Sequence, residues 1–216
     1  MAAVRTSSRN FAVLLFDEVE LLDVASMMQV ASAAGQRYNY RPFRLLPVAR
    51  AAGLVETRSQ LRIEAKMSLE DCPAPELLFV PGGYGARRAA GDAELVAFCR
   101  RAAQSAELLV AIGAGVAVLG AAGLLDGAAV AANRELETWL AGSLPHTRFD
   151  EREPVVTSLD GKLLTAASSG CGVELGLAVV GHCLGQRTAS ALRVAMGAPS
   201  VSRLEPAPVM ITLPPR

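Results

Sequence analysis

Continuous apolar runs alternate along this chain with stretches whose apolar residues recur at helical spacing. Phe11-Ala-Val-Leu-Leu-Phe16 has no polar interruption, the mark of a strand covered on both faces. Asp23 then precedes Val24, Met27, Met28 and Ala31, a stripe that predicts a helix ending near Gly35. Arg44-Leu-Leu-Pro-Val48 reads as a second strand, with Pro47 placing it at a sheet edge or a strand end. Gly53 to Met67 alternates weakly and predicts a hairpin. Glu76-Leu-Leu-Phe-Val80 is another buried strand, halted by Pro81-Gly82-Gly83.

Ala93 to Ala106 follows as a helix with Leu95, Val96, Cys99 and Ala102 inward. Leu108 to Ile112 is a strand that passes without an ordinary loop into a helix from Gly115. Glu135 to Leu140 is a short helix. Val155-Val-Thr-Ser158 and Leu163-Leu-Thr-Ala166 flank Asp160-Gly161, a hairpin signal. Helices from Gly172 to Leu184 and from Arg187 to Met196 complete the pattern. It implies an α/β fold, a mostly parallel sheet with helices on both faces, over a single domain from 11 to 204. Residues 1–10 read as a flexible leader and 205–216 as an extended, proline-rich tail. Ligands of such sheets bind beyond the carboxyl ends of the strands, which directs attention to the loops after Phe16, Val80 and Ile112.

Composition narrows the function classes. Hydrophobic residues make up 51% of the 216, so a large core can form, and 21 basic residues balance 21 acidic ones. That balance removes the footprint of a nucleic-acid or anionic-membrane binder. Leu108 to Leu125 is uncharged and meets the roughly 18-residue length of a membrane span, but Gly113, Gly115, Gly120 and Gly123 interrupt it, and a strand plus a small-residue helix is the better description. Cys72, Cys99, Cys171 and Cys183 form no C-x-x-C pair, and His146 and His182 lie outside any ligand cluster. No stretch specifies a metal, nucleotide or flavin, so no cofactor is expected. A reduced, cytoplasmic setting follows by default.

The abrupt turn Ala111-Ile-Gly113-Ala-Gly115 has the form of a nucleophile elbow, where the apex residue sits in a strained backbone conformation at the start of a helix. Taken alone it is a tight glycine turn. Together with Phe11-Ala-Val-Leu-Leu-Phe16, Glu20-Leu-Leu-Asp23-Val24, Leu77-Leu-Phe-Val-Pro-Gly-Gly83, Leu119-Gly-Ala-Ala-Gly-Leu-Leu-Asp-Gly127 and Gly170-Cys-Gly-Val-Glu174-Leu-Gly-Leu177, it resembles the ThiJ/PfpI superfamily. That superfamily is class I glutamine-amidotransferase-like, and the likeness is greatest to its isocyanide-hydratase-like branch. It runs from about Phe11 to Met196 and implies a flavodoxin-like three-layer sandwich and a homodimer.

In that family the elbow apex is a cysteine. Here the position falls on Gly113, which has no side chain to attack with, so a covalent thioimidate or hemithioacetal cannot form there. Asp23 has two descriptions. As an Asp before a helical stripe it is an N-cap, worth about 1 kcal/mol; by resemblance it is the carboxylate that faces the nucleophile as general acid/base, with a pKa raised by an apolar pocket. The resemblance also makes the amides of Gly83 and Ala114 an oxyanion hole, which does not depend on a thiol. Tyr84, Asn133, Arg134 and Cys171 are candidate pocket residues, and Trp139 and His146 candidate neighbours. Glu18 and Glu20 read as solvated loop acids.

Three functions follow. The first is an enzyme acting on a small organic molecule by non-covalent hydration, elimination, isomerisation or cyclisation, with Asp23 moving the proton. The second is a catalytically inactive binding or sensing pseudoenzyme; roughly 20 residues after Met196 are too few for a DNA-reading module, so no nucleic-acid partner is expected. The third is a hydrolase or redox protein that depends on Cys171.

Overall fold

The structure, a computed structural model, describes residues 8–36 and 41–199. The chain forms β1 (Arg9–Leu14), α1 (Leu21–Gln36), β2 (Phe43–Ala49), β3 (Gly53–Glu56), β4 (Arg62–Ala65), β5 (Met67–Ser68), β6 (Leu77–Val80), α2 (Ala86–Ala90) and α3 (Ala93–Ala103). It continues through β7 (Leu108–Ile112), α4 (Val116–Ala121), β8 (Ala129–Ala131), α5 (Arg134–Leu140), β9 (Arg148–Asp150), β10 (Val155–Ser158), β11 (Leu163–Ala166), α6 (Gly172–Leu184) and α7 (Gln186–Met196). The expected tail at 205–216 and most of the expected leader lie outside the described residues. Arg9 and Asn10, counted with that leader, belong to β1 and pair with Phe43 and Arg44.

Seven strands form one sheet in the order β10-β11-β7-β6-β1-β2-β5, parallel except for the β10–β11 pair. The strand order turns back between β1 and β6, the switch point of a doubly wound sheet. Helices α1, α6 and α7 pack on one another, as do α2, α3 and α4, giving the two outer layers of a flavodoxin-like α/β sandwich. Strands β6 and β7 are buried at every position, as their unbroken apolar runs require for a sheet covered on both faces. Close approach of α1 to α6 depends on small residues: a Cβ on Gly172 would strike Ser26, and one on Gly176 would meet Val30 at 2.9 Å.

Several expectations are corrected. Strand β2 is not the sheet edge, because β5 pairs beyond it, but β5 joins only at Val48 and Ala49 and so never needs the amide that Pro47 lacks. The β10–β11 hairpin exists with a longer turn than Asp160-Gly161. Ser158 pairs with Leu163, and Leu159 and Asp160 both take positive φ (51° and 53°). The uncharged run from Leu108 is divided among β7, a 3₁₀ turn and α4, which stops at Ala121 before Gly123 (φ 72°). Among the described residues no helix is long and apolar enough to cross a membrane.

Candidate functional site

The parallel strands β1, β6, β7 and β11 all deliver their carboxyl ends to one edge of the sheet, and their following loops surround a cavity of about 520 Å³. Its walls include Glu20 and Asp23 after β1, Gly82 to Tyr84 after β6, Gly113 and Ala114 after β7, and Ala167 to Ser169 after β11.

Asp23 lies on the floor, 1% exposed. It is the third residue of α1 rather than the residue before it, so the N-cap description fails. Its carboxylate reaches across to the turn after β6, where Oδ2 accepts the Gly82 amide at 2.8 Å. The other oxygen, Oδ1, is buried with no hydrogen-bond partner. Burial raises the Asp23 pKa from 3.8 to about 6; the nearby Ser169 hydroxyl and the Gly82 amide restrain the rise, and the charge of Glu20 adds to it. A carboxyl that titrates near neutrality with one oxygen uncommitted can both take and return a proton.

Opposite stands the elbow. Gly113 has φ 51°, and a Cβ built on it would touch nothing within 4 Å. Neither Gly83 nor Ala114 donates its amide to an acceptor among the described residues, and both line the cavity. Gly83 has φ 117° and lies so close to the loop after β1 that a Cβ would strike the Glu18 carbonyl oxygen. The Glu20 amide donates to the Gly82 carbonyl at 2.9 Å, which ties the two loops together.

The remaining candidates separate. Tyr84, exposed, and Asn133 line the cavity. Asn133 caps α5, its side-chain carbonyl accepting the Leu136 amide at 2.8 Å, and so sets the helix that presents Leu136 and Trp139. Arg134 and Cys171 are not among the lining residues. Arg134 is exposed on α5, and Cys171 is buried with Sγ 3.7 Å from the Ser168 hydroxyl. His146 is exposed and away from the walls, while Glu18 pairs outside them with Arg88 at 2.6 Å. Burial pushes the thiols of Cys99 and Cys183 up to about 12, consistent with inert core positions.

Sequence inspection missed Arg58, Arg87, Ser168 and Ser169. The serines had a findable signal: β11 is parallel to β7, so its loop reaches the same edge as the elbow, but the hairpin pattern with β10 drew attention to its other end. The arginines had none, since only folding brings Arg58 over the Tyr84 ring (3.9 Å) and Arg87 over Trp139 (4.4 Å).

Fold and cavity together define a doubly wound α/β protein with a buried carboxyl facing an elbow at the strand ends. The chain belongs to the DJ-1/PfpI family, whose model matches residues 9–182. It is 28% identical over 184 residues to an isonitrile hydratase of Pseudomonas putida, covering 84% of this chain and 75% of that protein. In fold it is similar to a ThiJ/PfpI family protein from Pseudomonas syringae (TM-score 0.80, 24% identity, 91% of this chain and 77% of that one). It is also similar to an AraC family transcriptional regulator from Pseudomonas putida (TM-score 0.73, 22% identity, 87% and 99%).

Proposed function

We propose that this protein transforms a small organic molecule by non-covalent acid/base chemistry, with Asp23 as the proton carrier. The observation that carries the proposal is the buried Asp23 carboxyl, one oxygen tied to Gly82 and the other without a partner, in a cavity whose elbow offers no sulfur. Above pH about 6 the carboxylate takes a proton from a substrate C–H or from an attacking water. The amides of Gly83 and Ala114 stabilise the oxyanion or enolate that results, and the Asp23 carboxyl then returns the proton to complete a hydration, elimination, isomerisation or ring closure. The open space at Gly113 admits a substrate atom where a relative's side chain would stand. A homodimer, and one domain that starts with β1 at Arg9 instead of at residue 11, belong to the same proposal on the family resemblance; size-exclusion chromatography tests the first.

The test is a turnover screen of small unsaturated and carbonyl compounds, isonitriles included because of the Pseudomonas putida relative. On any substrate found, Asp23→Asn is expected to lower kcat by about 100-fold or more, while Cys171→Ser leaves it unchanged. Turnover that survives Asp23→Asn overturns the proposal, and loss on Cys171→Ser would instead support the thiol-dependent alternative. The likeness in fold to a transcriptional regulator favours a second reading, a sensing domain that binds in the same cavity without turnover. Tight, saturable binding of a compound that the protein never converts would support it.

A further inference from the structure

We propose that the cavity selects an organic anion, a small carboxylate with an apolar body, whose charged end is held at the mouth by Arg87 while its uncharged end reaches Asp23. The proposal rests on the cavity being the functional site, as argued above, and adds the class of molecule it admits.

Two guanidiniums stand at the mouth, each over an aromatic ring: Arg58 over Tyr84 and Arg87 over Trp139. They are not equivalent. Arg58 lies 3.6 Å from Glu20 Oε2, so its charge is already answered within the rim. Arg87 has no carboxylate within ion-pair distance among the described residues. A guanidinium over an indole face keeps its N–H donors at its periphery, which suits paired hydrogen bonds to a carboxylate. The ring also limits the rotamers of a long side chain, so less freedom is lost when an anion binds.

Polarity along the cavity sets the orientation. Asp23, 1% exposed, places an acidic group at the inner end, where an incoming anion would be repelled. Arg87 is exposed at the outer end, and Leu136, Trp139 and Ala114 supply apolar surface between. Glu135 is the one rim acid without an ion-pair partner among the described residues, and it works against the anion. Its removal should therefore strengthen binding.

Trp139 is the sole tryptophan of the chain, so fluorescence excited selectively at tryptophan reports on this mouth alone. The probes are cyclohexanecarboxylate and its neutral isostere cyclohexanecarboxamide, both transparent at tryptophan wavelengths, titrated at about pH 7.5, where the acid is ionised. The carboxylate is expected to bind about ten-fold or more tightly than the amide, as a charge-assisted hydrogen-bond pair implies. Arg87→Gln should abolish that preference, Arg44→Gln on the exposed outer sheet should leave it, and Glu135→Gln should tighten the carboxylate a few-fold. Equal affinities, a preference that persists in Arg87→Gln, or no saturable change with either probe up to about 50 mM would overturn the proposal. Asp23→Asn removes the repelling charge at the inner end and is expected to raise the preference. A failed titration thus speaks against the anion subsite, whereas a failed turnover test speaks against the acid/base function.

Discussion

Two glycines two residues apart in the elbow after β7 do opposite things. A Cβ on Gly115 would run into the Val80 carbonyl oxygen, and the Pro81 carbonyl stands close behind; one on Gly113 would meet open space. Gly115 is therefore a packing requirement, placing α4 against the turn after β6. Gly113 answers only to its backbone conformation, with φ 51°. At Gly113 the elbow has a left-handed backbone and open space beside it. Beside it, Gly82 is packed so closely that a Cβ would sit 3.0 Å from Asp23 Oδ2. The acid is thus locked in place while the space facing it stays open.

Alanine substitution gives the largest contrast between the two glycines. Gly115→Ala is expected to destabilise the protein by about 3–5 kcal/mol or to prevent folding, because the obstruction is backbone rather than a yielding side chain. Gly113→Ala should cost only about 1 kcal/mol, the penalty of a left-handed residue with a Cβ. Urea unfolding of both variants measures the difference, and similar losses would break the distinction.

Asp23→Asn probes the other side of the cavity. The raised pKa means that the folded state holds a proton that the unfolded chain has released between pH 3.8 and about 6. Stability is therefore fully retained below that window and falls as pH rises through it, reaching a penalty of about 3 kcal/mol above it. Asparagine cannot ionise, so the variant should be more stable than the parent at pH about 8 and gain little near pH 3.8. Turnover by the parent should rise with pH through about 6 as the base form appears. Denaturant titrations at the two pH values, with a pH–rate profile, test the sign of each effect. A less stable Asp23→Asn at high pH would mean that the carboxylate supports the fold instead of straining it.

Much of this architecture was legible because burial on both faces writes unbroken apolar runs. Leu108–Ile112, Val155–Ser158 and Leu163–Ala166 have the expected bounds. Strands β8 and β9 were not legible. Ala129-Val-Ala131 carries no strand pattern, and side-chain hydroxyls hold it to the main sheet, the Thr165 Oγ1 accepting the Ala131 amide and the Ser158 Oγ the Ala129 amide, both at 2.8 Å. Helix α2 hid in five residues behind the Pro81-Gly82-Gly83 turn. At the cavity, Gly82, Gly83, Gly113 and Ala114 could be found from loops at strand ends. The status of Asp23 could not be decided locally, since a cap and a cavity acid look alike until the Gly82 amide, distant in sequence, is seen to claim the carboxylate. The Arg87–Trp139 pair joins α2 to α5 and has no local signature at all.

The smallest perturbation tests the frame itself. Gly113→Cys should fold with a loss of about 1 kcal/mol, since the new side chain meets strain in φ but no obstacle. Its thiolate would face the same amides assigned to the oxyanion, so the thiol should titrate below the ordinary value of about 8.5. Asp23 opposes that shift when ionised and assists it when protonated, so the two groups should titrate as a pair, the thiol falling and the carboxyl rising. Adding Asp23→Asn removes the opposing charge and should lower the thiol further. The background is favourable, because burial holds Cys72, Cys99 and Cys183 above their usual range. The difference in ultraviolet thiolate absorbance between Gly113→Cys and the parent across pH therefore isolates the new sulfur. An unshifted thiol would mean that the turn is open but electrostatically empty, and the amides of Gly83 and Ala114 would lose their assigned part in the chemistry.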